Sequence, residues 1–258
     1  MQIGVRVSLC LVDDLSGIDV DFLEESVPTS LFPERSKAEF SKMTKRRPAG
    51  IPPIRALTSF LPARLACIGP EADIDRLLLY AEDIFQRAKR IGVNTIVFDS
   101  GRSRRLPSDF PQFLALDQFV DLLQCFGPVA RRYGLTLVLK PLDRGECGLV
   151  NSHMTGAGVV KKCNMPNVQL LLDVAGMVRR GEPPRDIRRF AGMIRHVHVA
   201  NSGNATRAPG AELAPYFAVL RESGYDRSIS IDCPQKDHRR RLAASLKILR
   251  KQLKQAGY

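Results

Sequence analysis

Four side chains able to bind cations or handle protons sit at the ends of short apolar runs in this 258-residue chain, and a fifth lies close behind one of them. Lys140 follows LTLVL, Asp173 follows VQLLL, His198 lies in HVHVA, and Asp232 follows ISI. Glu146 comes six residues after Lys140. Two carboxylates and an imidazole suit Mn²⁺, Mg²⁺ or Zn²⁺, hard-to-borderline ions that accept oxygen and nitrogen donors. That chemistry requires the chain to bring residues nearly a hundred positions apart to one place.

The elements around these residues suggest how. Leu135–Leu139 is a short strand-like run, preceded by Gly134 and followed by Pro141, with Lys140, Asp143, Arg144 and Glu146 next. A buried strand ending in charges is the arrangement found at the mouth of an α/β barrel. Strand-like runs are expected at 3–11, 20–27, 54–62, 94–98, 135–139, 168–172, 196–200 and 229–231. Helices are expected at 70–92, 110–133, 156–163, 184–193, 211–222 and 236–254. The clearest is 70–92, where Ile74, Leu77, Leu78, Ala81, Ile84, Phe85, Ala88 and Ile91 form one apolar stripe that Gly92 ends. This alternation predicts an α/β fold, a single (β/α)8 barrel over 1–258. Residues 28–56 are expected to form an irregular excursion between the second and third strands, and 236–254 a basic last helix. A doubly wound sheet fits less well, because no Gly-rich phosphate fingerprint follows the first strand.

Composition narrows the function. Hydrophobic residues make up 44%, enough for a large core, and no run of 18 apolar residues occurs. MQIGVRVSLCLVDD turns acidic too early for a signal peptide, so the expectation is a soluble, cytoplasmic protein without a membrane partner. Six scattered cysteines without a CxxC pair read as reduced, mostly buried thiols. The net charge of +12 favours anionic ligands, phosphorylated metabolites among them. The eight Lys and Arg of 236–254 read as a solvated face rather than a nucleic-acid surface.

The blocks FLPARLACIGP, FDSGRSRRLP, LKPLDRGECG, LLLDVAGM, HVHVANS, TRAPG and GYDRSISID, in this order and spacing, resemble the xylose-isomerase-like TIM-barrel superfamily. The likeness is to its sugar phosphate isomerase/epimerase group, which includes ketose 3-epimerases and hydroxypyruvate isomerases. It implies an isomerase or epimerase acting on a sugar or sugar phosphate, commonly as a homo-oligomer. It also implies one divalent cation held by four residues at the ends of strands five to eight. Carried over by position, Asp173 and His198 are metal ligands and Asp232, a shorter carboxylate, takes the place of the strand-eight Glu. Glu146 is the Glu six beyond the strand-five ligand, so Glu146 and Asp232 would relay the proton. Arg207, before the PG turn, would contact substrate.

Three departures matter. The strand-five ligand, usually the Glu of EPL, is Lys140; the His three beyond the strand-six Asp is Gly176; and the Asp after HVHIA is Asn201. A protonated lysine cannot ligate a cation, and a like-charge contact at 4 Å costs about 4 kcal/mol per unit charge at an effective dielectric near 20. Two expectations follow. Either Lys140 plugs the site, with no metal and a binding barrel or pseudoenzyme as the result, or the site works. In a working site Lys140, or a metal on Asp173 and His198, would stabilise an enediolate oxyanion, and Lys140 could also form a Schiff base.

Other residues have plainer readings. His196 is expected to be a packed strand residue, with substrate contact as its functional alternative, and His153 and His238 to be surface groups. Arg105, with Arg102 and Arg104, either presents a fork to a phosphate or carboxylate or belongs to a solvated loop. Endonuclease IV shares the superfamily's barrel, but four histidines are too few for its three zinc ions, which argues against a nuclease.

Overall fold

The structure is a computed structural model that describes residues 1–7, 19–45, 50–199, 213–232 and 238–258, with the side chains of Asp232, His238, Arg239 and Arg241 outside the description. Eight strands run β1 (Gln2–Arg6), β2 (Phe22–Ser26), β3 (Ile54–Thr58), β4 (Thr95–Phe98), β5 (Thr136–Leu139), β6 (Val168–Asp173), β7 (Ile194–Val199) and β8 (Ser228–Asp232). Each pairs in parallel with its sequence neighbours, and β1 pairs with β8, so the sheet closes into a (β/α)8 barrel as the β/α alternation predicted.

The helices are α1 (Val27–Leu31), α2 (Lys37–Thr44), α3 (Ile74–Arg90), α4 (Gln112–Arg132), α5 (His153–Cys163), α6 (Val174–Arg180), α7 (Ala214–Glu222) and α8 (His238–Gln255). The excursion after β2 holds α1 and α2; Ser36 and Glu39 cap α2 reciprocally. Asp73 caps α3, whose buried stripe of Leu77, Ala81, Ile84, Phe85 and Ala88 faces the barrel. Helix α4 is long and apolar enough to span a bilayer by composition, yet Phe119, Leu122, Leu123 and Phe126 are buried in the fold.

Two expected helices differ. Residues 184–193 form two 3-10 turns, Pro184–Arg189 and Ala191–Met193, rather than one helix. The helix after β6 is instead α6, which starts directly from the last strand residue, Asp173, as its cap.

The main core lies between strands and helices, with Phe60, Phe85, Phe98, Phe119 and Phe126 in mutual contact. Val97 and Val138, register partners on β4 and β5, form a small cluster of their own with Leu171 of β6. The strands on the other side of the barrel carry Glu24, His196, His198 and Ser230 instead, all buried.

Candidate active site at the barrel mouth

Strand pairing fixes the site. Asp173 is level with His198 across β6 and β7, Arg6 is level with both Glu24 and Asp232, and Lys140 follows β5 directly. These positions meet at the C-terminal end of the strands, the end where barrels of this type carry their chemistry. A cavity of about 210 Å³ opens there, lined among others by Arg6, Asp99, Lys140, Glu146, Asp173 and Arg179.

Lys140 places its ammonium 3.4 Å from Asp173 Oδ2, with the lysine 13% and the aspartate 3% exposed. Asp173 Oδ1 accepts the Gly176 N–H at 2.9 Å, and an Arg179 guanidinium nitrogen lies 3.9 Å from Oδ2. Burial alone would push the Asp173 carboxyl up, but Lys140, the Gly176 N–H and the neighbouring histidines hold it well below the ordinary carboxylate range. Asp173 is therefore an anion whose oxygens are already engaged. A divalent ion on it would have to displace two cationic side chains, so this carboxylate does not fit a metal in the manner the resemblance implies.

Gly176 explains how the rim is built. A Cβ there would come within 2.8 Å of Asp173 Oδ2 and 2.9 Å of the Arg180 guanidinium. The room that a side chain would need is taken by Arg180, which donates to Asp143 Oδ1 at 2.8 Å and to Glu182 Oε1 at 2.5 Å. Arg179 holds the other Asp143 oxygen at 3.1 Å. Glu146, exposed on the turn after β5, approaches the Asp143 N–H at 3.4 Å and borders the cavity.

His153 is a correction. Expected on the surface, it is fully buried at the start of α5 and stacks on Phe190 at 6.0 Å. Its Nε2 accepts the Asp173 N–H at 3.0 Å, so the ring proton sits on Nδ1 and is donated to Glu182 Oε2 at 2.9 Å. Burial raises the Glu182 carboxyl, but His153 and Arg180 outweigh it and hold its pKa at about 2. The local sequence NSHMT is polar and hides this, because the partners lie 20 and 29 residues away.

Of the two readings of the arginine cluster, the structure shows no fork: Arg102 and Arg105 are exposed and Arg104 is turned inward. Arg104 is buried, stacked over Phe98 and Phe119, and donates to the Lys140 carbonyl at 3.0 Å, so it braces the β5 terminus rather than facing a ligand. Arg105 is exposed and lies outside the cavity lining. Cys67, Cys147 and Cys163 are buried free thiols and Cys125 is half-buried. Arg207 and Asn201 lie outside the described residues, and Asp232 is placed by its backbone, closing β8 at this end.

Inside the barrel, Glu24, level with Arg6, reaches across to β7. Its Oε2 is 2.8 Å from His196 Nε2 and its Oε1 2.7 Å from His198 Nε2. His196 also meets Ser228 Oγ through Nδ1 at 2.8 Å and Ser230 Oγ through Nε2 at 3.1 Å. Burial favours an uncharged Glu24 carboxyl, yet the imidazoles of His198 and His196 hold it well below its ordinary range; burial keeps His196 below its own. His196 is thus packed under the mouth rather than against the cavity. Glu24 carried no assigned role in the sequence, since its partners are more than 170 residues away.

No curated protein sequence matches the chain. Among solved structures, it is similar to D-psicose 3-epimerase with D-tagatose from Clostridium cellulolyticum H10. The TM-score is 0.84 at 17% identity, over 98% of this chain and 99% of that one. It is similar too to 3-keto-D-glucoside 4-epimerase from E. coli, with TM-score 0.76 and 20% identity over 97% and 99% of the two chains. A third likeness is to the IolI protein with a bound zinc atom, TM-score 0.77 and 14% identity over 99% of each chain. At these identities the likeness is one of fold. The family model of the xylose isomerase-like TIM barrel matches residues 13–252, and with that span of the sequence and a closed barrel the chain belongs to this family.

Proposed function

We propose that the mouth of the barrel binds a small hydroxylated carbonyl compound, a ketose or ketose phosphate, and interconverts its isomers by moving a proton between adjacent carbons. The observation that carries this reading is the Lys140–Asp173 pair inside a cavity that Glu146 borders. A base and a fixed cation at one small site are what enolisation needs.

In this reading Glu146 takes the proton from the carbon beside the carbonyl. The electron pair moves onto oxygen, and the Lys140 ammonium, held by Asp173, stabilises the enediolate oxyanion in the place where the resemblance puts a metal. Asp232, at the end of β8, is assigned the return of the proton. The Asp143–Arg179–Arg180–Glu182 cluster fixes the rim so that Asp173 and Lys140 keep their positions.

A binding barrel without turnover is the second reading, favoured by the engagement of Asp173 by both Lys140 and Arg179. Incubating the protein with a panel of ketoses and ketose phosphates and resolving the products by chromatography separates the two. Isomers formed by the wild type and lost in Glu146→Gln, with an unchanged circular dichroism spectrum, support the catalytic reading. Retained turnover in Glu146→Gln removes that residue's role, and tight binding with no product leaves the binding barrel.

A further inference from the structure

The interior polar cluster is built from two strands that do not touch, β2 and β7, with β1 and β8 between them. Glu24, His196 and His198 each offer one donor atom, and these atoms lie within 4.8 Å of one another. All three residues are buried. We propose that Glu24, His196 and His198 form a binding site for one divalent cation of the zinc class, inside the barrel and separate from Asp173.

Donor type is the first argument. Two imidazoles and a carboxylate suit borderline ions such as Zn²⁺, which takes nitrogen and oxygen ligands at about 2.0–2.2 Å. The second argument is what the three residues leave unmet without an ion. Glu24 Oε1 and His198 Nε2 approach to 2.7 Å, yet the contact lacks hydrogen-bond geometry and, among the described residues, neither atom has another hydrogen-bond partner. Buried polar atoms in this state are uncommon and call for an explanation, an ion among them. A cation between them satisfies both atoms at once.

The surroundings supply the third argument. Ser228 Oγ lies 2.8 Å from His196 Nδ1, the outer hydrogen bond that fixes a ligating imidazole and directs its other nitrogen inward. Ser230 Oγ, 3.1 Å from His196 Nε2, brings an oxygen to the same point. The site adjoins the mouth, because His198 is level with Asp173 and Glu24 with Arg6, two residues that line the cavity, so the cavity at the strand ends is the route of access. An enclosed position of this kind makes the ion a tie between β2 and β7, outside the chemistry proposed for Lys140 and Glu146.

The test is the zinc content of the full chain, grown with added Zn²⁺ and desalted, together with X-ray absorption at the zinc edge. We expect about one ion per folded chain with two imidazoles in its shell. Ser228→Ala should weaken Zn²⁺ binding about ten-fold through the outer hydrogen bond. His196→Gln should lose the ion, and Asp173→Asn should keep it. A folded wild type that holds no zinc overturns the proposal, as does a bound ion with fewer than two imidazoles. Loss of zinc in Asp173→Asn together with retention in His196→Gln would also overturn it, by moving the ion to the mouth. The wild-type absorption spectrum decides the matter even where a variant fails to fold.

Discussion

Lys140 Nζ stands 3.4 Å from Asp173 Oδ2, joining the end of β5 to the end of β6 by an ion pair that is almost wholly out of solvent. Removing one partner of such a pair leaves a buried charge uncompensated. Lys140→Met should therefore destabilise the fold by about 2–4 kcal/mol near neutral pH, the Gly176 N–H and Arg179 limiting the loss. Adding Asp173→Asn to Lys140→Met should recover much of it. Denaturant melts of the single and double variants measure the coupling; strict additivity would mean that the pair contributes nothing.

The barrel itself was legible in the sequence. Strands such as Thr136–Leu139 and helices such as Ile74–Arg90 carry their periodicity and their stop signals locally, and both lie where the pattern put them. Helix α6 was not legible, because Val174–Arg180 is only seven residues long and takes its cap from a residue that is also the end of a strand. The mouth could be read in part. Lys140, Asp173 and Glu146 stand at or just past strand ends and do border one cavity. What stayed hidden was side-chain direction: Arg104 turns inward over the Phe98 ring, and His153 turns in to accept the Asp173 N–H. Neither direction leaves a trace in nearby residues.

Gly176 should resist even a methyl group. Gly→Ala in a helix ordinarily gains about 1 kcal/mol, but crowding a packed site costs about 1–3 kcal/mol. The added Cβ meets Asp173 and an Arg180 already held by Asp143 and Glu182. Gly176→Ala should lower the melting temperature in the wild type and be neutral or favourable when Arg180→Ala has cleared the space. An equal effect in both backgrounds would show that Arg180 does not fill it.

Glu182 makes a pH prediction. Its pKa is held at about 2, below the ordinary value of 4.5. A depressed carboxylate contributes stability that is fully present above its unfolded value and is lost as pH falls through its folded value. The wild type should therefore lose melting temperature more steeply than Glu182→Gln between about pH 4.5 and pH 2. Parallel acid limbs for the two proteins would contradict the His153–Glu182 arrangement.

The central claim is that the Lys140 ammonium does the work of a cation at the mouth. Deuterium uptake beside the carbonyl of ketose substrates, followed by NMR in D₂O, tests it most directly, with wild type and Lys140→Met compared before and after chelator treatment. The account predicts uptake by the wild type that survives the chelator and falls at least about 100-fold in Lys140→Met, the scale of losing one preorganised oxyanion donor. Uptake that is unchanged in Lys140→Met, or that appears only after a divalent ion is added, would contradict it.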